Sequence, residues 1–169
     1  ITTVISPDGR LEASLINNTY DDPLHPYGYV LVIKDLATGA ILSSTTVGDQ
    51  IAAKVRPSLS FTPDSQGVAV VRYGYYTERP ESPQVEYDNK IIIVSKTGER
   101  LLEFDAAYLN LAEQQDIKIT DHGFRVEGSV VSMTVTYRIM TFHPQDGSRS
   151  PWVEFSDPIT TTITLATSP

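Results

Sequence analysis

The tetrapeptide Ser6-Pro7-Asp8-Gly9 decides how this sequence is interpreted, because related tetrapeptides return at spacings of 56 and then 58 residues. The later copies are Thr62-Pro63-Asp64-Ser65 and, more faintly, Thr120-Asp121-His122-Gly123. Proline presets φ for a turn, aspartate accepts hydrogen bonds from its own backbone, and glycine or serine tolerates the remaining dihedral angles. Each tetrapeptide is therefore predicted to reverse the chain between two strands.

Each predicted turn is followed by β-prone runs in the same order. The first run is apolar or alternates with period two, which is typical of a strand; its copies are residues 11–16, 67–73 and 124–131. A second run leads to Gly39, Gly98 and Gly147, where glycine suits a turn with positive φ; its copies are residues 29–33, 91–94 and 134–142. A short last strand then covers residues 40–47, 99–104 and 150–155.

Together these runs predict an all-β protein built from three consecutive four-stranded antiparallel meanders. The 169 residues fit a single domain, with repeat units at about 1–50, 51–110 and 111–169. Residues 105–115 are predicted as the only helix, because alanine, leucine and glutamate favour helix there. The threonine-rich run 159–165 resembles residues 1–4 in composition, so these two ends of the chain are expected to pair.

The first unit carries a longer signature, in which Ser6-Pro7-Asp8-Gly9-Arg10 is followed by Val30 to Lys34 and then by Asp35-Leu36-Ala37-Thr38-Gly39. This signature resembles a β-propeller blade of the WD40 or TolB-like kind. The second unit keeps Thr62-Pro63-Asp64 and Lys96-Thr97-Gly98, and the third keeps little beyond its turns. The resemblance implies a propeller-like arrangement, with a β-sandwich or barrel as the alternative fold. Because propellers usually close with about four to eight blades, three units imply a longer protein or a homodimer that completes a six-bladed ring.

Charge and composition exclude several classes of function. Thirteen Lys and Arg against 21 Asp and Glu give a net charge of −8, the wrong sign for neutralising nucleic-acid phosphates. The chain has no cysteine, which excludes disulfides, thiolate catalysis and cysteine-based metal sites. The histidines, His25, His122 and His143, lack the short spacing of metal sites and are interpreted as turn or surface residues. We therefore predict no cofactor, no metal, no nucleic-acid partner and no membrane insertion.

Two long loops, residues 17–29 and 73–89, occupy equivalent positions in the first two units and hold seven of the nine tyrosines. Tyrosine offers a large, rigid contact area with a polar tip, and proline lowers the entropy lost on binding. The predicted partner-binding surface consists of Tyr20, Asp22, His25, Tyr27, Tyr75, Tyr76, Arg79 and Tyr87. The competing interpretation is that the tyrosines pack against the sheet edges, above all those that border predicted strands, which are Tyr29, Tyr73 and Tyr87.

The loop composition predicts a non-catalytic interaction or scaffold module with a protein or glycan partner, and not an enzyme. The sequence has no Gly-x-Ser-x-Gly elbow, phosphate loop or dinucleotide fingerprint. The alternative function is a hydrolase that acts on a carbohydrate or a small ester through Asp21, Asp22, Glu78 or Glu86, with opposing carboxyl groups about 5 to 10 Å apart. Asp21, Asp22 and His25 are interpreted as a solvated acidic loop, because their spacing is not that of a calcium-binding EF-hand.

Overall fold

The computed structural model describes residues 2–18, 28–49, 57–72, 75–76, 86–87, 89–144, 147 and 152–165. Within these ranges the chain forms fourteen β-strands and no helix, which confirms the predicted all-β class. No helix of these ranges could therefore serve as a membrane span. The strands form three antiparallel sheets, here numbered 1 to 3, and one short hairpin.

Sheet 1 is the four-stranded meander expected for the first unit. Its strands are β1 (Thr2–Ile5), β2 (Leu11–Asn18), β3 (Gly28–Asp35) and β4 (Ile41–Asp49), paired in chain order. In β2 the side chains of Leu11, Ala13 and Leu15 are buried, whereas those between them are half-buried. This alternation leaves sheet 1 with one core face and one outer face.

Sheet 2 is also a four-stranded meander, although a hairpin interrupts it. It contains β5 (Ser58–Phe61), β6 (Gly67–Arg72), β9 (Lys90–Ser95) and β10 (Arg100–Phe104), and the short β7 (Tyr75–Tyr76) and β8 (Glu86–Tyr87) pair with each other between β6 and β9. Strand β6 is buried at every position and β9 at all but its first. Their continuous apolar runs are typical of a sheet that is covered on both faces.

The core consists of two layers of side chains, one on each face of sheet 2. One layer joins sheet 2 to sheet 1 and includes Leu31 and Ile33 against Val70 and Ile92. The other layer joins sheet 2 to the third sheet through a different set of side chains, which includes Ile91, Ile93, Phe104, Ile117, Met133, Val135 and Tyr137. Sheet 2 is therefore the middle layer of a three-sheet stack.

The first two predicted turns share the same hydrogen bonds. The hydroxyl of the first turn residue donates to the aspartate two positions later, at 2.6 Å in both sheets, and accepts from the N–H five positions later, at 2.9 and 3.0 Å. The residues concerned are Ser6, Asp8 and Leu11 in sheet 1 and Thr62, Asp64 and Gly67 in sheet 2. Positive φ falls on the fourth residue of both tetrapeptides, +73° at Gly9 and +60° at Ser65. Both turns are confirmed.

Sheet 3 departs from the meander predicted for the third unit. Its strands are β11 (Gln115–Glu127), β12 (Val130–His143), β13 (Trp152–Phe155) and β14 (Ile159–Thr164). Strand β12 is central, because it pairs with β11 on one side and with both β13 and β14 on the other. The expected pairing of run 159–165 with residues 1–4 is wrong, since β14 pairs with β12 and β1 pairs with β2.

The third predicted turn is also wrong. Residues Thr120 to Gly123 lie inside β11, and the chain reverses instead beyond Glu127, where Gly128 has a φ of +62°. A register shift between Ile119 and Asp121 accommodates this stretch within the pairing of β11 with β12. Consequently the predicted strand 124–131 spans the end of β11, the true turn and the start of β12.

The helix predicted over residues 105–115 is absent, and turns connect β10 to β11 instead. The Asn110 N–H donates to the Ala107 carbonyl at 3.1 Å, and Asn110 itself has a φ of +52°, which interrupts any helix. The Tyr108 ring packs on Phe104 with the ring centroids 5.3 Å apart. Tertiary packing of this connector therefore overrides the helix propensity of its residues.

Candidate functional site

The strand registers place both long loops at the same end of their sheets. In sheet 1, β2 and β3 pair from Leu11 opposite Asp35 to Asn18 opposite Gly28. In sheet 2, β6 and β9 pair from Gly67 opposite Ser95 to Arg72 opposite Lys90. The short turns leave from the first end of each sheet, which we name the turn end. Loops 17–29 and 73–89 leave from the other, which we name the loop end.

Contacts between the sheets show that the two turn ends lie side by side. The Asp8 N–H of sheet 1 donates to the Ser65 hydroxyl of sheet 2 at 3.3 Å. Gly98, which follows β9, lies so close to sheet 1 that an added Cβ would be 3.1 Å from Thr45 Oγ1. Since the sheets pack face to face with their turn ends together, their loop ends also face in one common direction.

A polar cleft of about 250 Å³ lies between the turn ends. Its lining includes the carboxylates of Asp8 and Asp35 and the cationic side chains of Arg10 and Lys96. Both carboxylates already serve the turns, since Asp8 Oδ1 accepts from the Ser6 hydroxyl and Asp35 Oδ1 accepts from the N–H groups that follow it. The acidic groups of this cleft therefore have a structural role.

The structure accounts for only part of the predicted binding surface. Tyr20, Asp22, His25, Tyr27 and Arg79 lie outside the described residues. Three others lie in the hairpin of β7 and β8, whose backbone register sets Tyr75 opposite Tyr87 and Tyr76 opposite Glu86. The hairpin thus brings Tyr75, Tyr76 and Tyr87 together at the loop end of sheet 2.

Tyr29 agrees with the competing interpretation, in which the tyrosines pack against the sheets. Its side chain is half-buried and packs against the core layer between sheets 1 and 2. Tyr73, the other strand-bordering tyrosine of the second loop, lies outside the described residues. At Tyr29, therefore, tyrosine at a loop boundary anchors the loop to the sheet.

Sheet 3 extends past sheet 2 at the loop end. The Asn89 side chain, just before β9, accepts a hydrogen bond at 3.0 Å from the N–H of Ile119 in β11. Ile119 is therefore level with the loop end of sheet 2. Strand β10 also ends there, with Phe104 opposite Ile91, so the chain enters β11 from the loop end, and the four residues before Ile119 span about 13 Å at this end. Residues 139–143 of β12 and the whole of β13 pair alongside this extension. We name residues 115–118, 139–143 and 152–155 the overhang.

One face of the overhang carries an exposed aromatic cluster that the sequence did not reveal. The Trp152 ring stacks on the His143 ring with centroids 4.0 Å apart and planes at 12°. His143 Nε2 also lies 2.9 Å from Glu154 Oε2. The Trp152 side chain is nevertheless 46% exposed. The indole is thus held in place by neighbours on a rigid sheet while much of it stays open to solvent.

Polar side chains continue the same face. Gln115 Nε2 donates to Thr141 Oγ1 at 3.3 Å across β11 and β12. Because side chains alternate along a strand, Gln115 lies on the same face as Ile117, which belongs to the core layer between sheets 2 and 3. The cluster therefore faces the side on which sheet 2 lies. Strand β8 of the tyrosine-bearing hairpin lies close to β11.

The opposite face of the overhang is anchored by its own small apolar layer. Met140 is fully buried there and pairs in register with Phe155, whose ring is 42% exposed. The Lys118 ammonium lies 5.6 Å from the centroid of the Phe155 ring, close enough for a cation–π contact. These contacts hold β13 against β12 and so keep Trp152 in position.

Ion pairs at the loop end of sheet 2 keep Lys90 and Glu103 in their charged forms. Lys90 Nζ lies 2.8 Å from Glu103 Oε1 and 3.4 Å from Asp105 Oδ2. Burial opposes the charge of Lys90, but the hydrogen bond and charge of Glu103 outweigh it and raise the pKa of Lys90. The hydrogen bond from Lys90 likewise lowers the pKa of Glu103. Both groups stay ionised at neutral pH, as expected of a structural pair rather than of an acid and base that exchange protons.

Metal binding finds no support in the described ranges, in which no group of three or more His, Cys, Asp or Glu side chains converges. His122 lies in β11, and burial lowers its pKa. His143 lies at the end of β12, in contact with Trp152 and Glu154. The arrangement at the loop end is suited to contact with a partner through aromatic and hydrogen-bonding groups.

Comparison with known proteins adds little to this description. No family model matches the chain, and no curated protein matches it. Among solved structures, the chain is similar to a chain of hydrazine synthase from Kuenenia stuttgartiensis, with 18% identity and a TM-score of 0.44. The match covers 81% of this chain and 38% of that chain. A likeness of this size defines neither a family nor a function.

Proposed function

We propose that this chain is a non-catalytic interaction module that binds a protein or glycan partner at its loop end. One observation carries the proposal: the strand ends that flank both tyrosine-rich loops lie at the same end of the stack as the overhang bearing Trp152. The opposite, turn end consists of short turns whose polar groups bond to one another. A partner would meet aromatic groups at only one of these two ends.

The chemistry of the loop end suits recognition. Tyrosine and tryptophan contribute large contact areas and hydrogen-bond donors while few rotatable bonds must be ordered on binding. Trp152 is already ordered by its stack on His143, which lowers the entropy lost when a partner docks. The carboxylate of Glu154 and the amide of Gln115 supply polar contacts on the same face of the overhang.

A propeller-like scaffold is part of the proposal. Sheets 1 and 2 are four-stranded meanders, packed face to face, with matching hydrogen bonds in their first turns. These features support the resemblance of the first two units to propeller blades. The hydrolase alternative depends on Asp21, Asp22 and Glu78, which lie outside the described residues, and on Glu86, and it stays a prediction.

The proposal is tested by array binding followed by fluorescence titration. Labelled protein is applied to a glycan array and to a peptide array, and each hit is titrated in solution against the emission of Trp152, the single tryptophan. We expect a hit to change this emission. The double variant Tyr75→Ala/Tyr76→Ala is expected to weaken binding about ten-fold or more, the loss of roughly 1.4 kcal/mol or more that anchor residues typically contribute.

The matched control is Arg10→Ala, an exposed substitution at the turn end, which should leave the affinity unchanged. Circular dichroism of each variant verifies that the fold is retained. The proposal is contradicted if neither array yields a hit, or if Arg10→Ala weakens binding as strongly as the tyrosine variant does.

A further inference from the structure

The two outermost faces of the stack differ in chemistry. The outer face of sheet 3 is polar, with Thr136 Oγ1 3.1 Å from Thr160 Oγ1 and further hydroxyl groups in register around them. The other side chains of this face include Lys118, Thr120, Arg125, Ser132, Thr134, Arg138, Thr162 and Thr164. A polar outer face of this kind typically ends a stack of repeats in solvent.

The outer face of sheet 1 also carries hydroxyl groups, with Thr3 Oγ1 3.0 Å from Ser14 Oγ, but large apolar side chains lie among them. Ile5 is 50% exposed and Ile41 is 66% exposed, and Ile16 is also open to solvent. Val30 and Val32 lie between them on β3 and are only half-buried. These side chains alternate with the core residues of sheet 1, so they point away from sheet 2, where they share the outer face with the hydroxyl side chains of Thr3, Ser14, Ser44 and Thr46. Exposed apolar side chains grouped on one face mark a candidate interaction surface.

The order of side chains across this face points to its occupant. One row runs from β1 to β4 through Ile5, Glu12, Lys34 and Ile41, which are neighbours in the strand registers. Within the described residues, neither Glu12 nor Lys34 takes part in an ion pair. The row therefore has an isoleucine at each end and one free charge of each sign in the middle.

Such a row is complementary to itself. A second copy can be related to the first by a two-fold axis that is parallel to the strands and passes between β2 and β3. This axis packs the row of one copy against the same row of the other copy, in reverse order. Glu12 then faces the second copy's Lys34, and Ile5 faces the second copy's Ile41. The same rotation sets Ile16 opposite Val30. Two-fold interfaces require self-complementarity of this kind.

We infer that the outer face of sheet 1 is a homodimer interface, in which a second copy of this chain packs sheet 1 on sheet 1. This arrangement differs from the six-bladed ring considered from the sequence. The ring needs sheet 1 of one copy to pack on sheet 3 of the other. Away from the overhang, the outer face of sheet 3 offers hydroxyl groups and charged side chains of both signs, Asp121 and Glu127 among them, rather than a group of large apolar side chains. The interface is separate from the loop end, so a partner can bind there while the dimer is intact.

A charge-exchange experiment tests this inference. Sedimentation velocity of the whole chain over a concentration series measures the dissociation constant of the dimer. The single variants Glu12→Lys and Lys34→Glu each place like charges opposite one another twice per dimer, and each is expected to raise the dissociation constant about ten-fold or more. The double variant Glu12→Lys/Lys34→Glu restores opposite charges across the two-fold axis and should recover most of the lost affinity.

The control substitutions separate this face from the rest of the surface. Arg125→Glu reverses a charge on the outer face of sheet 3 and should leave the dissociation constant unchanged. Ile16→Lys should abolish the dimer while circular dichroism of the variant shows that the β-sheet fold is retained. A chain that is monomeric at every concentration overturns the inference. So does a dimer whose affinity is insensitive to Ile16→Lys, or one that is not recovered in the double charge variant.

Discussion

Sheets 1 and 2 share features that sheet 3 lacks. In the first two sheets a hydroxyl residue precedes Pro-Asp, and its side chain accepts a hydrogen bond from the strand that follows. In sheet 3 the corresponding hydroxyl, that of Thr120, donates to the Thr136 carbonyl of the neighbouring strand at 3.3 Å. Asp121 therefore lies in a long strand, whereas Asp8 and Asp64 each close a turn.

The difference shows which residues of the tetrapeptide form the turn. Aspartate alone does not reverse the chain, because Asp121 is followed by glycine two positions later and yet remains within β11. Ser6-Pro7-Asp8-Gly9 and Thr62-Pro63-Asp64-Ser65 share a proline between the hydroxyl residue and the aspartate, whereas in the third copy Thr120 is followed directly by Asp121. Proline fixes φ at the start of the turn, and the hydroxyl satisfies the first N–H of the next strand.

The largest effects are expected in the middle layer. Ile92 is buried between sheets 1 and 2, and its neighbour Ile93 is buried between sheets 2 and 3. Ile92→Ala and Ile93→Ala should each lower the free energy of unfolding by about 2 to 5 kcal/mol, because each leaves a cavity in a close-packed core. Urea denaturation measures both, and Val126→Ala at an exposed position of β11 serves as the control, with an expected change within about 0.5 kcal/mol. A loss below about 1 kcal/mol for either core variant would show that sheet 2 is open on that face.

The turn hydroxyls should give intermediate effects. Ser6→Ala and Thr62→Val each remove the acceptor of a buried backbone N–H, and each should lower the free energy of unfolding by about 1 to 3 kcal/mol. Thr120→Val removes only an exposed hydrogen bond and should change it by less than about 0.5 kcal/mol. Equal losses at all three positions in the same denaturation assay would remove the distinction between the turns and β11.

The smallest effect concerns the turn carboxylates of sheet 1. The hydrogen bond from the Ser6 hydroxyl, and then that from the Arg10 N–H, lower the pKa of Asp8 below its usual value of 3.8. The hydrogen bond from the Thr38 N–H lowers that of Asp35 in the same way. A carboxyl with a lowered pKa in the folded state stabilises the fold above its unfolded pKa, and this contribution is lost as the pH falls through the folded pKa.

We therefore expect the free energy of unfolding to decline as the pH is lowered below about 4. Asp8→Asn, which keeps the shape of the side chain but cannot ionise, should reduce the steepness of this decline. Urea denaturation at a series of pH values measures the slope. An unchanged slope in the Asp8→Asn variant would be evidence against a stabilising role of the ionised carboxylate.

The sequence predicted the features that depend on local pattern. Alternation and turn chemistry were sufficient for sheets 1 and 2, because every connection at their turn ends is closed by residues within one tetrapeptide or at one glycine. The order of sheet 3 depends on β12 pairing with three strands, and pairing of that kind is decided by packing between distant segments.

The candidate site could likewise be predicted from the sequence only in part. The tyrosine-rich loops were visible as composition, and the strands that flank them end at the same end of sheets 1 and 2. The aromatic cluster was not visible, because His143 and Trp152 meet only through the register of β12 with β13. The alternation of Trp152 with Glu154 is the one local signal that these side chains share a face, and it does not reveal which neighbour they meet.

The stacking order of the three sheets is tested most directly by a distance between the two outer ones. Because the chain has no cysteine, Ser14→Cys and Thr134→Cys provide unique sites for spin labels on the outer faces of sheets 1 and 3. Packed sheets lie about 10 Å apart, so sheet 2 between them sets a backbone separation of about 20 Å. Pulsed electron paramagnetic resonance, with the labelled protein diluted in unlabelled protein, should give one narrow distance peak at this separation after allowance for the label linkers. A peak corresponding to a backbone separation of about 10 Å, as for two sheets packed directly on each other, would contradict the three-layer stack.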